Sequence, residues 1–401
     1  VALLHLTLAL TAGYVTLMGL FAVGMLWRHP AVRRSGQAAT SDWPSVDLVI
    51  AARNEATILP NTLAHLHALR YPGRLQIILV DDRSSDATGE LLRAAARRDP
   101  RIRVETVRTP SDTLAPKVNA IRSGVAAGEG DIILTSDADC ALPAGWVKAM
   151  AEPFADPQVV WSLAPVTTLP PAGEASKAAS FRERFEAIDW LSLILVSRSL
   201  ARLGFNLASS ANAQGYRRSA LNAAGGFEGV GPAPSGDEEL LLQRLGRRRG
   251  ARTIFVDDVN AHVITAAAPS WAVWLRQRRR WASRFRAARH YHRGFLAGIG
   301  LLSLASMSLS LSLLFLPWNP SDALPLLTAW GIKVAVEVVG IGYFFGRIGR
   351  ADLRGGTLLV WALLHPFYIS FITLAALLRP NPWTPPANAT PRTAVVDRTE
   401  A

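Results

Sequence analysis

The chain has a single cysteine, Cys140, among 401 residues. An intrachain disulfide is therefore impossible, and a thiolate metal cluster is excluded. Two phosphate-cradling signatures are missing as well. No Gly-x-Gly-x-x-Gly follows the first predicted strand, and no Gly-x-x-x-x-Gly-Lys-Ser/Thr loop occurs. A phosphate-bearing ligand would need other cations. The stretch from Val1 to Trp27 holds no Asp, Glu, Lys or Arg. Zinc-finger, homeodomain and RNA-recognition signatures are absent too. The formal net charge of +12 therefore does not point to a nucleic-acid partner.

What is present is apolar surface segregated from basic charge. Half of the residues are hydrophobic, and four segments approach or exceed the roughly 20 residues that cross a bilayer as a helix. They cover Val1 to Trp27, Gly294 to Trp318, Ala323 to Phe345 and Thr357 to Leu378. Segment one lacks a basic leading region and a clear cleavage site, so it reads as a retained anchor. Arg28, Arg33 and Arg34 follow it, His290, His292 and Arg293 precede segment two, and Arg347, Arg350 and Arg354 separate segments three and four. The positive-inside rule then places the long middle region in the cytoplasm, in a multi-pass protein of the cytoplasmic (inner) membrane. Lys333 and Glu337, one helical turn apart in segment three, read as a neutralising pair within the bundle.

The middle region alternates strand and helix patterns. Val46 to Ile50, Leu75 to Val80, Arg101 to Val107 and Asp131 to Leu134 read as strands. Helical patterns run through Leu66 and Leu69, through Leu91, Leu92 and Ala96, and from Val118 to Val125. This alternation predicts a mostly parallel, doubly wound α/β sheet, whose ligands sit beyond the carboxyl ends of the strands. Ala51-Ala52-Arg53-Asn54-Glu55, Asp81-Asp82 and Ser136-Asp137-Ala138-Asp139 all fall there. Side-chain alternation along a strand turns Asp137 and Asp139 the same way, and two adjacent carboxylates call for a cation. A divalent metal carrying a diphosphate would supply it. Further on, Gln277 to Trp281 lies in an Arg- and Trp-rich amphipathic stretch suited to a membrane interface. There Arg276, Arg278 and Arg284 are expected to face lipid.

In their order along the chain these motifs resemble those of the membrane-bound glycosyltransferases of family 2. They are Ala51 to Glu55, Val80-Asp81-Asp82-Arg83-Ser84-Ser85-Asp86-Ala87-Thr88, Pro116-Lys117-Val118-Asn119-Ala120, Ser136 to Asp139, Ser235 to Leu240, and Gln277-Arg278-Arg279-Arg280-Trp281. The nearest subgroups are ceramide-glucosyltransferase-like and hopanoid-associated bacterial enzymes. The resemblance implies a Rossmann-like GT-A domain over 44–265. Around it stand one membrane helix over 1–27, a linker over 28–43 and an interfacial helix region over 266–293. Three membrane helices over 294–378 and a tail over 379–401 complete the chain.

The resemblance also implies roles. Ala52, Glu55, Asp82 and Lys117 would contact the nucleotide, with Asp82 on the base and Glu55 at the ribose or locking its loop. Asp137 would serve both nucleotide and metal, and Asp139 would ligate Mg²⁺ or Mn²⁺. Asp237 would be the general base, with Glu238 the alternative, because the usual Glu-Asp order is replaced here by Asp-Glu-Glu. Gln277 and Arg280 would face the diphosphate and Trp281 the acceptor. The expected reaction is inverting transfer of a sugar from a nucleotide-diphosphate sugar, of the uridine type, to a lipid or lipid-linked acceptor. A processive polysaccharide synthase and a non-catalytic nucleotide-sugar-binding membrane protein are the alternatives.

Overall fold

Helix α1 (Ala2–Leu26) comes first and is apolar around its whole circumference. Strand β1 (Val46–Ala52) follows, with helix α2 (Leu59–Ala68), β2 (Leu75–Asp81), α3 (Thr88–Arg98), β3 (Ile102–Thr106), α4 (Pro116–Ala127) and β4 (Ile132–Asp137). Each strand lies close to the apolar run that predicted it. Val46, Leu48, Val49 and Ile50 are all buried, as expected for a strand covered on both faces. The structure, a computed structural model, describes residues 2–27, 43–169, 179–209, 212–228, 230, 237–282, 290–318 and 320–378. The expected linker residues 28–42 and the tail 379–401 lie outside the described residues, as do the cations Arg28, Arg33 and Arg34.

The second half departs from simple alternation. It contains β5 (Cys140–Ala141), α5 (Trp146–Ala151), β6 (Val159–Leu163), β7 (Val166–Thr167) and a long helix, α6 (Phe181–Arg202). Then come β8 (Gln214–Arg217), α7 (Arg218–Ala223), α8 (Asp237–Leu245), β9 (Arg252–Phe255) and β10 (Val263–Thr265). The main sheet has the order β3-β2-β1-β4-β8-β6-β9, and β5-β10-β7 form a second, small sheet. β1 to β4 are mutually parallel, whereas β8 runs antiparallel to both β4 and β6. In register, Ala52 faces Asp81 and Ala51 faces Asp137, so three strands end level with one another. That common edge is where polar side chains gather.

Beneath the opposite edge lies an ion pair. Asp47, buried in β1, accepts from Arg218 Nη2 at 2.6 Å and from the Gly130 N–H at 2.7 Å. Arg218 also donates to the carbonyls of Gly130 and Val125. The pair therefore fixes the end of α4 and the entry to β4 beneath the sheet.

The remaining helices are α9 (Trp271–Ala282), α10 (Arg293–Phe315), α11 (Ala323–Arg347) and α12 (Gly356–Leu378). Among the described residues, four helices are long and apolar enough to cross a membrane: α1, α10 with its extension to Trp318, α11 with its lead from Pro320, and α12. At mid-length three of them, α1, α11 and α12, share a polar knot. Glu337 accepts from Tyr14 Oη at 2.5 Å and from Lys333 Nζ at 2.7 Å, and lies 2.7 Å from His365 Nδ1. Lys333 also reaches the Ala362 carbonyl at 3.0 Å. The pair expected from sequence is thus part of a larger group that joins α1, α11 and α12. Polar side chains in such a setting are tolerated when they satisfy one another.

Helix α6 was not foreseen. It starts with a capping box, in which Glu183 N donates to Ser180 Oγ and Ser180 N donates to Glu183 Oε2. It packs between the sheet and the membrane helices α1 and α12. The loop after α11 is tied down by its own cations. Arg350 is buried and donates to the Leu169 carbonyl at 2.9 Å, and Arg354 donates to the Gly342 carbonyl at 2.6 Å.

Asp47→Ala would strand the Arg218 guanidinium and leave the Gly130 N–H without its acceptor. Loss of one partner of a buried pair costs about 3–5 kcal/mol. The variant is expected to melt at a clearly lower temperature in detergent than the parent. An unchanged melting curve would remove Asp47 from the fold's supports.

Candidate functional site

The site is built from the carboxyl ends of β1, β2 and β4. Asn54 and Arg83, in the loops after β1 and β2, both adopt positive φ, at 55° and 58°. Asn tolerates this conformation readily and Arg less so, and the two loops are stitched together where it occurs. Ser85 N donates to Asn54 Oδ1 at 2.8 Å, Asn54 N to Ser84 Oγ at 3.2 Å, and Glu55 N to Thr88 Oγ1 at 2.8 Å. Asp86 receives Thr88 N and Ala56 N. Burial alone would raise the Asp86 pKa, but the hydrogen bonds from Thr88 and Ala56 outweigh it and hold the carboxyl below its usual range. Asp86 is thus a loop and helix-start residue. Glu55 sits in the same stitched loop, which its main chain helps to hold.

Asp81 and Asp82 are both buried. Asp81 accepts from Ser84 N at 3.0 Å, and Asp82 N donates to the Ala52 carbonyl at 2.9 Å. The Asp82 carboxylate accepts from Arg83 Nε at 2.9 Å and lies 3.8 Å from Arg53. Two guanidiniums thus flank the carboxylate expected to meet a base. The Ala52 side chain is itself buried, so its contribution at this edge is its main chain.

At the end of β4, Lys117 Nζ lies 2.5 Å from Asp137 Oδ1 and Asn212 Nδ2 donates to Asp137 Oδ2 at 2.9 Å. Ser136 Oγ fixes Asn212 through its carbonyl at 2.7 Å. Here the strand argument for Asp139 needs correction. β4 ends at Asp137, and Ala138 and Asp139 form a turn. Beyond the turn the chain leaves the main sheet, and Cys140 and Ala141 pair antiparallel with β10 in the small sheet. Asp137 and Asp139 are neighbours on the edge through that turn, not through strand alternation. Both are half-buried. They offer only oxygen donors, which suit Mg²⁺ or Mn²⁺, and the ammonium on Asp137 shows that a cation is accommodated at that atom. Among the described residues, no cluster of three or more His, Cys, Asp or Glu adds to them.

A cleft opens beside this edge. Lys117, Ser136, Asp137, Tyr216, Glu238 and Leu241 are among its lining residues. The structure therefore brings Lys117, Asp137 and Glu238 together. Asp237 opens α8, but its side chain lies outside the described residues, as do residues 231–236. Gln277, Arg280 and Trp281 lie on α9 and do not occur among the described residues lining the cleft.

Arg278 does not face lipid as expected. It is buried, with Nε 2.5 Å from Asp189 Oδ2, and its guanidinium lies over the Trp281 ring at 4.2 Å. The reason is that α9 packs against α6, which supplies the countercharge. Arg276 is exposed, and Arg284 lies outside the described residues. Asp189, its partner, was missed in the sequence. The signal was there: one carboxylate inside the apolar run Ala187-Ile188-Asp189-Trp190-Leu191. Close by, burial raises the Glu186 pKa against the hydrogen bond from Ala268 N and the charges of Arg278 and Arg182.

Cys140 is buried, and its thiol is pushed up first by that burial and then by Asp139 and Asp137. A thiol reacts as its thiolate. Iodoacetamide at pH 8 is expected to leave Cys140 unmodified in the folded protein and to alkylate it after denaturation, as read by intact mass. Rapid labelling of the folded chain would contradict the packing described for the turn.

Comparison with known proteins follows the same lines. The family model for glycosyl transferase family 2 matches residues 47–197, and that for glycosyl transferase family group 2 matches residues 132–377. The beta-monoglucosyldiacylglycerol synthase of Trichormus variabilis is 25% identical over 280 residues, covering 67% of this chain and 54% of that protein. An N-acetylglucosaminyltransferase of Rhizobium leguminosarum bv. viciae is 30% identical over 253 residues, covering 61% and 56%. The chain thus spans about half the length of these curated relatives. Among solved structures, the mannosyltransferase PcManGT from Pyrobaculum calidifontis, in complex with GDP-Man and Mn²⁺, superposes with a TM-score of 0.61 at 16% identity. That superposition covers 94% of this chain and all of PcManGT. The likeness shows the fold, which is GT-A with membrane-length helices at both flanks. Together these matches, the longer of which begins at β4 and runs into α12, make this chain a member of the glycosyl transferase family 2 group.

Proposed function

We propose that the enzyme moves a sugar from a nucleoside diphosphate sugar, of the uridine type, to the hydroxyl of a lipid or lipid-linked acceptor, by one displacement that inverts the anomeric centre. The observation that carries this reading is Asp137. It is level with β1 on the sheet's carboxyl edge, held by Lys117 and Asn212, and in one cleft with Glu238. The acceptor class is supported by four membrane-length helices around the catalytic domain and by likeness to a glucosyldiacylglycerol synthase. The orientation that fits the loop charges has the catalytic domain in the cytoplasm, beside the inner membrane.

In this reading Asp82 accepts from the base, with Arg53 and Arg83 holding its carboxylate in place. The stitched loop carrying Glu55 frames the ribose. Lys117 sits where it can follow the diphosphate's charge once the donor is bound. Asp139 and Asp137 would hold Mg²⁺ or Mn²⁺, which when bound supplies positive charge against the departing diphosphate. Arg280 and Gln277 face that diphosphate and Trp281 the acceptor. Asp237 takes the proton from the attacking hydroxyl. Glu238 is the second reading for that base, favoured by its place in the cleft lining.

Membranes containing the protein, given a panel of labelled uridine, guanosine and thymidine diphosphate sugars, are expected to yield one labelled lipid, identified by mass spectrometry. No transfer from any donor with Mg²⁺ or Mn²⁺ present would overturn the reading. Chelation by EDTA and the substitution Asp139→Ala are each expected to abolish metal-dependent donor binding, measured by retention of labelled nucleotide.

Asp237→Asn is expected to leave donor binding intact while transfer falls by about 10²–10⁴-fold, the usual contribution of a general base. Transfer that survives Asp237→Asn but is lost in Glu238→Gln would move the base by one residue.

A further inference from the structure

Arg278 is an arginine inside the molecule, and its surroundings form a chain of contacts that ends in the membrane bundle. Its Nε donates to Asp189 Oδ2 at 2.5 Å, and its Nη1 donates to Gln277 Oε1 at 2.8 Å. Its guanidinium lies 4.2 Å from the Trp281 ring centre, 5.3 Å from that of Trp274 and 5.5 Å from that of Trp190. Its Nη2 has no hydrogen-bond partner among the described residues. Neutralisation of the cation therefore falls to Asp189, and its remaining surroundings are largely aromatic. Asp189 is 2% exposed. Its other oxygen, Oδ1, accepts from the Tyr368 hydroxyl. Tyr368 belongs to α12, a helix of membrane length, and its ring packs on Trp274 with centroids 5.5 Å apart.

We propose that Asp189 and Tyr368 are positioning residues for the helix that carries Gln277, Arg280 and Trp281. Tyr368 orients the Asp189 carboxylate, Asp189 fixes Arg278, and Arg278 holds the Gln277 amide oxygen and the face of the Trp281 ring. Two of the three motif side chains are thus set from outside their own helix, by a hydroxyl on the last membrane helix and a carboxylate on α6. The geometry is demanding. A planar guanidinium that satisfies a carboxylate at one edge and an amide oxygen at another has little rotational freedom left. The inference rests on the transferase reading for the role of α9, but the contacts themselves do not depend on it.

Removing Asp189 would leave a buried cation unpaired and could unfold the junction, so the informative change is Tyr368→Phe. It deletes one hydroxyl and keeps the ring and the ion pair. Full-length wild type, Tyr368→Phe, Gln277→Ala and the double variant are compared in membranes for transfer, and in detergent for hydrogen exchange of the α9 amides. Tyr368→Phe is expected to lower kcat about fivefold, with the donor KM within about twofold, and to speed exchange across Trp271–Ala282. In the Gln277→Ala background the same change is expected to lower kcat by clearly less than in the wild type, since the influence that runs through Gln277 is gone and only that through Trp281 remains. Effects that multiply, or α9 exchange rates unchanged by Tyr368→Phe, would overturn the inference. Wild-type membranes that transfer no sugar would instead sink the transferase reading. The exchange comparison alone would then decide whether Tyr368 holds α9.

Discussion

A charge removed from water has to meet its opposite, and in this protein that requirement organises the seam between a soluble sheet and a membrane bundle. Along α6, Glu186 accepts the Ala268 N–H, Asp189 pairs with Arg278, and Arg198 pairs with Asp257 beyond β9 at 2.8 Å. Arg198 and Arg202 also cap the carbonyls of Met25 and Trp27 at the end of α1. One helix thereby takes hold of the first membrane helix, the sheet and the motif helix. Buried ion pairs add little net stability relative to apolar packing, but breaking one is costly. They serve here to fix which surfaces meet, a task that apolar contacts alone perform loosely.

The parallel half of the sheet was legible in the sequence because β1, β2 and β4 are short, mostly apolar runs closed by a polar cluster, and β3 alternates as a strand at the sheet's edge does. Buried parallel strands cannot look otherwise. The sequence placed Asp82, Asp137 and Asp139 on the sheet edge because they stand at or just beyond those closures, whereas Lys117, in the first turn of α4, was singled out only by the family motif. The antiparallel β8 was not, since Gln214-Gly215-Tyr216-Arg217 has no apolar run to announce it. Helix α6 was hidden for a related reason. Glu186, Asp189 and Arg198 lie on buried positions, so its polar and apolar residues do not sort into two faces. Arg278 was misread because its partner is 89 residues away in the chain and the hydroxyl behind that partner 179 further on. Local periodicity carries no information at that range.

In the proposed reading, the donor side and the acceptor side differ in construction. On the sheet edge, main-chain N–H groups and short side chains lock the loops to one another, as the contacts of Asn54 with Ser84 and Ser85 and of Glu55 N with Thr88 show. Preorganisation of this kind lowers the entropy lost on binding. On the α9 side the fixing elements are large: three indoles, a guanidinium and a tyrosine. On that reading, a site with one wall of interlocked loops and one wall hung from helices would keep its grip on a nucleotide while the other wall is reshaped for a different acceptor.

The knot of Tyr14, Lys333, Glu337 and His365 has a consequence for how the molecule comes to exist. The Tyr14 hydroxyl lies in α1, and its acceptor Glu337 is 323 residues later. During synthesis α1 enters its surroundings with that hydroxyl unclaimed. Lys333 and Glu337 follow together and can shield each other, while His365 arrives last. The knot can close only when α1 and α12 find each other, so α1, made before its partners, is secured only after both of them exist.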